Sequence, residues 1–223
     1  MKKIIRITLF TIILSIISIR PCLASSVTDG ISQDAVIAEV SATDPVMQQA
    51  VDVPVNIVTT GYIFVGDSRL DGLVLYADFN KDPDIFTISG TSRGYKYLVN
   101  KVDKEIAKIK ANNPQILKWY EIYTLGINDI GNINKYCKWY TDRAVDNNVI
   151  LVSVNPLEYH KYISNEDVFK FNTNLRALNL PYIDSCDYLI KTGFSTGDGT
   201  HYNKGTCKNI ALFLKSSVRS LEN

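Results

Sequence analysis

The chain has 223 residues, 46% hydrophobic and 21% charged, an ordinary globular composition that fits one domain or at most two small ones. It holds 24 basic and 23 acidic residues, a formal net charge of +1. That balance leaves no basic patch to recruit nucleic acid, so no nucleic-acid partner is expected.

In chain order, Lys2, Lys3 and Arg6 precede an apolar stretch from Ile7 to Ile19, and Cys22 and Ala24 offer small residues for cleavage after Ala24. This pattern predicts a bacterial-type secretory signal peptide over residues 1–24. The apolar stretch is shorter than the roughly 20 residues a bilayer span needs. No stable membrane span is therefore expected after cleavage. Ile19-Arg20-Pro21 before Cys22 is a poor lipobox, which argues against a lipid anchor. Residues 25–57 carry Asp29, Asp34, Glu39, Asp44 and Asp52 but no Lys or Arg, and show no sustained period. They are expected to form a flexible acidic lead. The folded domain is expected over residues 58–223.

From there the pattern becomes regular. Tyr62 to Val65 is a short apolar run of the kind buried on both faces of a sheet, ending in Gly66-Asp67-Ser68. A second strand is predicted at 84–88. A helix follows over 97–110, with Leu98, Val102, Ile106 and Ile109 on one face. A third strand, 121–125, ends at Gly126-Ile127-Asn128-Asp129. Ile133, Tyr136, Tyr140 and Ala144 mark the next helix. Val149 to Val154 is the clearest strand, stopped by Asn155-Pro156. A helix near 166–177, a strand at 182–184 and a closing helix from about Asn203 to Leu221 complete the series. Strands alternating with helices predict an α/β fold: a three-layer sandwich around a central parallel sheet of about five strands. In such sheets ligands bind beyond the carboxyl ends of the strands. The two glycine strings, and Asp198-Gly199-Thr200-His201 before the last helix, all fall there.

Those strings can do acyl chemistry. Ser68 lies where a strand turns into a helix, whose N-terminus favours developing negative charge. A serine hydroxyl needs a base, and the sequence holds two histidines. His201 has Asp198 three residues earlier, so a local turn lets the carboxylate hold one ring nitrogen while the other takes the Ser68 proton. Asn128, a backbone N–H from a glycine near residue 90 and the N–H of Ser68 would hold an oxyanion. Each has a plainer reading: Ser68 or Asp67 as a helix cap, Asn128 and Asp129 as turn formers, His201 as a surface histidine. All of these would have to hold at once for the site to be illusory.

The three strings resemble those of the SGNH hydrolases, also called GDSL esterases and lipases, over residues 60–215. Gly66-Asp67-Ser68 looks like the family's first block, Gly126-Ile127-Asn128-Asp129 is similar to its Gly-x-Asn-Asp block, and Asp198-Gly199-Thr200-His201 to its Asp-x-x-His block. The resemblance implies a flavodoxin-like fold, a triad of Ser68, His201 and Asp198, Asn128 as oxyanion donor, and no cofactor. The loop glycine of the family matches Gly90 or Gly94, with Gly90 slightly preferred. Arg69 stands where the family usually has leucine. It either faces a polar substrate or sits on the helix surface, the latter preferred.

His160 follows the fourth strand and is expected in a loop, as a candidate for the substrate rim. Among the 13 tyrosines, Tyr136 and Tyr140 read as core, whereas Tyr159, Tyr162 and Tyr202 are candidates for the substrate rim. No cluster has metal-ligand spacing, so no metal is expected. Cys137, Cys186 and Cys207 would remain after cleavage, an odd set in an exported chain. A Cys186–Cys207 bridge would brace the Asp-His loop; three buried free thiols are the alternative. Taken together, these readings predict a secreted serine esterase for small acyl groups, such as acetyl, on carbohydrate or cell-wall glycan. An acyltransferase with the same triad, or a catalytically silent carbohydrate-binding relative, are the alternatives.

Overall fold

The computed structural model describes residues 59–221, so the expected signal peptide and the whole of the acidic lead lie outside the described residues. Five strands are present: β1 (Thr60–Val65), β2 (Ile85–Ile88), β3 (Lys118–Tyr123), β4 (Asn148–Val152) and β5 (Tyr182–Ile183). The helices are α1 (Ser68–Ala77), α2 (Tyr95–Asn112), α3 (Ile133–Arg143), α4 (Asn165–Arg176), α5 (Ser185–Thr192) and α6 (Lys204–Ser220). All strand pairs are parallel, in the order β2-β1-β3-β4-β5. This is the flavodoxin-like winding. The chain runs outward from β1 to β2, returns across β1 to β3, and continues through β4 to β5. The winding therefore reverses between β1 and β3, and the crevice at their carboxyl ends is where this fold places its ligands.

Alternation along the strands divides the core into two layers. Ile63, Val65, Tyr123 and Leu151 pack with Leu98 and Val102 of α2, Tyr136 and Tyr140 of α3, and Val168 and Phe171 of α4. Tyr62, Phe64, Ile122 and Ile150 pack with Leu70 and Leu73 of α1, Leu189 of α5, and Ile210, Leu214 and Val218 of α6. Both layers are needed because a parallel sheet is apolar on both faces. Two elements differ from expectation. β3 ends at Tyr123, two residues early, because the chain turns there toward the glycine string. The helix α5 was not anticipated; it spans 8 residues, too short for a convincing period, and is started by the Asp184 side chain accepting from Asp187 N–H. Among the described residues no helix is long and apolar enough to cross a membrane.

A buried carboxylate ties one helical layer to the sheet. Glu121, in the middle of β3, is 1% exposed. It accepts from Lys110 Nζ of α2 (2.9 Å), from Arg143 Nε and Nη2 of α3 (2.7 and 3.1 Å) and from Tyr123 OH (2.9 Å). Burial opposes its charge, but the hydrogen bonds from Arg143 and Lys110 prevail and hold the carboxyl below the usual glutamate value. With a folded pKa below the unfolded one, this group stabilises the fold above its unfolded pKa. The contribution is lost as pH falls through the folded value. Glu121→Ala leaves Arg143 with only the exposed Asp103 (2.9 Å) as an ionic partner, and we expect a loss of about 3 kcal/mol in urea unfolding at neutral pH. The difference from wild type should shrink as the pH is lowered.

Candidate active site

The turn after β1 is built by exclusion. A side chain on Gly66 would overlap Thr124 Oγ1 and come within 2.7 Å of Leu70 Cβ, so β1, β3 and α1 can meet only over a glycine. Asp67 caps α1, its Oδ1 accepting from Arg69 N–H at 2.9 Å. Ser68 is thereby the first residue of α1, where the backbone N–H groups have no intrahelical partner. Its Oγ lies 2.9 Å from His201 Nε2. His201 Nδ1 lies 2.7 Å from Asp198 Oδ2. A carboxylate can only accept, so Nδ1 carries the proton and Nε2 is left to accept from the serine hydroxyl. Asp198 is itself held by Thr200 N–H (2.9 Å) and His201 N–H (2.7 Å) on Oδ1. The backbone and ring hydrogen bonds from His201 hold its carboxyl well below the usual range, so it stays ionised through mild acid.

The His201 loop is braced from outside. Gly199 has φ +88°, and a side chain there would overlap Tyr159 O. Its carbonyl accepts from Glu158 and Tyr159 N–H, both at 3.0 Å. Glu158 Oε2 accepts from Thr196 N–H at 3.1 Å. Reading the sequence did not single out Glu158; only its closeness to the Asn155-Pro156 break hinted at it.

On the β3 side, Asn128 is exposed and donates one amide hydrogen to Arg93 O at 2.8 Å, leaving the second free. Asp129 joins the two loops that frame it. Its carboxylate accepts from Tyr95 N–H (2.8 Å), Asn132 Nδ2 (3.1 Å) and Tyr136 OH (2.7 Å). The two candidate glycines then separate. A Cβ on Gly94 would sit 2.8 Å from this fixed carboxylate, whereas one on Gly90 would meet Arg93 Nε at 2.5 Å, the end of a movable side chain. Gly94→Ala should therefore cost more thermal stability and more activity than Gly90→Ala. Melting temperature and ester turnover of the two variants check this, and equal effects would refute the steric distinction.

Two expectations are corrected, and one open alternative is decided. Arg69 neither faces outward nor lies on the helix surface. Its Nη1 donates to Asn155 O at 2.8 Å, and its guanidinium lies 5.2 Å from the Tyr202 ring centre. Tyr202 is not at the rim: it is 5% exposed, and its OH donates to Pro156 O. It anchors the floor beneath His201 because the preceding residue points to the surface and the antiparallel bridge to Thr196 turns Tyr202 inward. The Cys186–Cys207 bridge is absent, and Cys137, Cys186 and Cys207 are free. Cys186 packs in the α2–α4 layer and Cys207 in the α1–α6 layer, and burial pushes both thiols up to about 11. His160 is a loop residue as expected: its Nδ1 accepts from Tyr162 and Ile163 N–H at 3.2 and 3.1 Å.

Arg69 acquires a different role from its setting. Arg69 Nε and Nη2, and Asp67 Oδ2, are buried without a hydrogen-bond partner. Both residues line a cavity of about 30 Å³ together with Thr124, Ser153, Asn155 and Tyr202. Apolar residues including Leu70, Leu73, Ile127 and Val152 complete the lining, and the volume suits one water bridging the unpartnered Asp67 and Arg69 atoms. Burial pushes the Asp67 carboxyl up, against the hydrogen bond from Arg69 N–H and the charge of Arg69. Arg69 thus offsets part of the cost of burying Asp67 beside Ser68. Arg69→Leu should destabilise by about 3 kcal/mol by leaving Asp67 uncompensated, and Asp67→Asn/Arg69→Leu should recover most of that loss. Denaturant unfolding of both variants measures it; an additive double variant would refute the coupling.

No protein-family model matches the sequence, and no curated protein is significantly similar to it. Solved structures share its fold. A member of the lipolytic G-D-S-L family from Veillonella parvula superposes with a TM-score of 0.52 at 15% identity, covering 70% of this chain and 97% of its own. An SGNH hydrolase candidate from Slackia heliotrinireducens gives 0.56 at 10% identity over 72% and 99%. The C-terminal catalytic domain of Streptococcus pneumoniae peptidoglycan O-acetyltransferase A gives 0.50 at 18% identity over 74% and 96%. The chain therefore has the fold of the SGNH hydrolases, the group its three motifs resemble.

Proposed function

We propose that this chain is an exported serine esterase that removes small acyl groups, acetyl foremost, from carbohydrate or cell-wall glycan. The observation that carries the reading is the unbroken hydrogen-bonded series Ser68–His201–Asp198 at the carboxyl edge of the sheet. In the reaction, His201 Nε2 takes the Ser68 proton as Oγ attacks the ester carbonyl. The oxyanion is held by Ser68 N–H, the free Asn128 amide hydrogen and the N–H of Gly90 or Gly94. Collapse releases the alcohol, protonated by His201, and leaves an acyl-serine. Water, deprotonated by His201, then frees the acid. Asp198 keeps the ring in the productive tautomer and stabilises the imidazolium. Arg69 and Tyr202 turn inward and make no direct substrate contact, whereas His160 stays in the rim loop.

The small acyl group is supported by the openness of the pair: the Ser68–His201 hydrogen bond is exposed. The cavity beside the turn, about 30 Å³, has no room for a fatty-acyl chain. The glycan is supported by the shared fold with a peptidoglycan O-acetyltransferase domain and by the predicted leader at 1–24, which would deliver the chain to the envelope or medium. The same likeness favours one second reading, transfer of the acyl group to a sugar hydroxyl in place of water.

A fluorophosphonate probe should label the wild type and not Ser68→Ala. His201→Ala should stay folded and lose turnover on the order of 10⁶-fold. Acetate release from acetylated xylan, pectin and peptidoglycan fragments identifies the carrier, and acetyl transfer to an added glycan exceeding hydrolysis would select the second reading. A wild type that neither labels nor releases acetate would overturn the proposal.

A further inference from the structure

The loop that braces the His201 turn also displays the two most exposed tyrosines among the large exposed apolar side chains described. Tyr159 is 68% and Tyr162 78% exposed, although they lie only three residues apart. Single exposed apolar residues are ordinary. Two rings in four residues, on a segment this firmly held, are not explained by packing.

The backbone of this segment is fixed at both ends. Leu157 N–H donates to Asn165 Oδ1 at 2.7 Å and Leu157 O accepts from Asn165 Nδ2 at 2.8 Å. Glu158 and Tyr159 N–H hold Gly199 O. His160 Nδ1 gathers Tyr162 and Ile163 N–H, and Ser164 with Asp167 forms a capping box that starts α4. The segment is thus ordered before any ligand arrives, so little conformational entropy remains to be lost on binding. Gly199, which it touches, is two residues from His201, so their Cα atoms lie within about 7 Å.

We propose that Tyr159 and Tyr162 form a docking platform for the glycan chain that carries the ester, an inference that rests on the esterase reading for its substrate. The chemistry of the patch selects this occupant. The rings border an open depression of about 370 Å³ that also carries Glu158, His160, Lys161 and Asp167. With Nδ1 accepting, the neutral His160 ring offers Nε2–H as a donor. A pyranose ring has apolar C–H faces and a perimeter of hydroxyls, and this surface alternates flat rings with donors and acceptors in the same way. A lipid chain requires continuous apolar surface, which the charges of Glu158, Lys161 and Asp167 interrupt. A nucleic-acid strand requires a basic track, and here one lysine faces two carboxylates. Lys161 Nζ lies 4.9 Å from the Tyr162 ring centre and leaves the ring largely open.

The test uses the full chain carrying Ser68→Ala, so that binding is read without turnover. Titration with xylohexaose and with chitohexaose, followed by calorimetry, distinguishes a plant-type from a cell-wall-type backbone. Binding of at least one should weaken about tenfold or more in Tyr159→Ala/Tyr162→Ala and be retained in Tyr159→Phe/Tyr162→Phe. With Ser68 restored, the ratio of kcat/KM on an acetylated oligosaccharide to that on p-nitrophenyl acetate should fall about tenfold in the double alanine variant. Absence of binding to either hexaose, or binding indifferent to both ring removals, overturns the platform. A ratio unchanged because both esters lose equally also overturns it, since the loop would then only hold the Asp198–His201 turn. Tyrosine-dependent binding by a wild type that hydrolyses no ester would support the platform and reject the esterase reading.

Discussion

One hydrogen bond, from Ser68 Oγ to His201 Nε2, joins positions 133 residues apart in the chain. Neither partner can reach the other by local structure. Ser68 is placed by the end of β1 and the first turn of α1, and His201 by a loop ahead of α6. The contact exists because α1 and α6 lie side by side on the same face of the sheet, sharing the layer of Leu70, Leu73, Ile210 and Leu214. Loss of that packing would separate the proposed nucleophile from its proposed base even with every motif residue intact. The 19 and 17 buried residues of the two layers thus hold the Ser68–His201 contact as well as the fold.

Around this contact the molecule uses charged groups as fasteners. Asp129 closes the two loops that present Asn128, Asp198 closes its own turn on His201, and Asp67 starts the helix that carries Ser68. Each is a carboxylate accepting backbone N–H donors, the strong kind of hydrogen bond. Asp67 differs because its second oxygen is buried and unpartnered, which makes Arg69 its counterweight. The arginine therefore substitutes for the apolar residue usual in the resembling family, in a polar pocket that accommodates it. Glu121 is the same device applied to the opposite layer, where it fastens α2 and α3 rather than the site.

The rim shows a division between what is held and what is displayed. The backbone from Leu157 to Ser164 is bonded at both ends, and the Gly199 carbonyl joins it to the Asp198–His201 turn. Its aromatic side chains are left in solvent. A single loop can thus set the geometry of the base and offer a surface to a substrate, because one task uses main-chain groups and the other side chains.

Much of this was legible in the amino-acid order. Apolar runs of four or five residues alternating with helical periods imposed a parallel sheet, and glycine strings at the strand ends marked its active edge, since periodicity and turn chemistry are local properties. That Ser68, Asp198 and His201 meet there followed from the same placement, as did Asn128 in the turn after β3. Other features were decided only by three-dimensional packing. Arg69 turns inward because a polar pocket made by Asn155, Ser153 and Tyr202, more than 80 residues away in sequence, receives it. Tyr202 is core and Tyr159 is rim, although both adjoin motif residues, because the bridge to Thr196 turns one inward while the Gly199 contact fixes only the backbone of the other. Cys186 and Cys207 stay unbridged because the sheet assigns them to different layers. In each case the deciding neighbour is remote along the chain, and a local pattern carries no information about which remote residues will fill the space beside it.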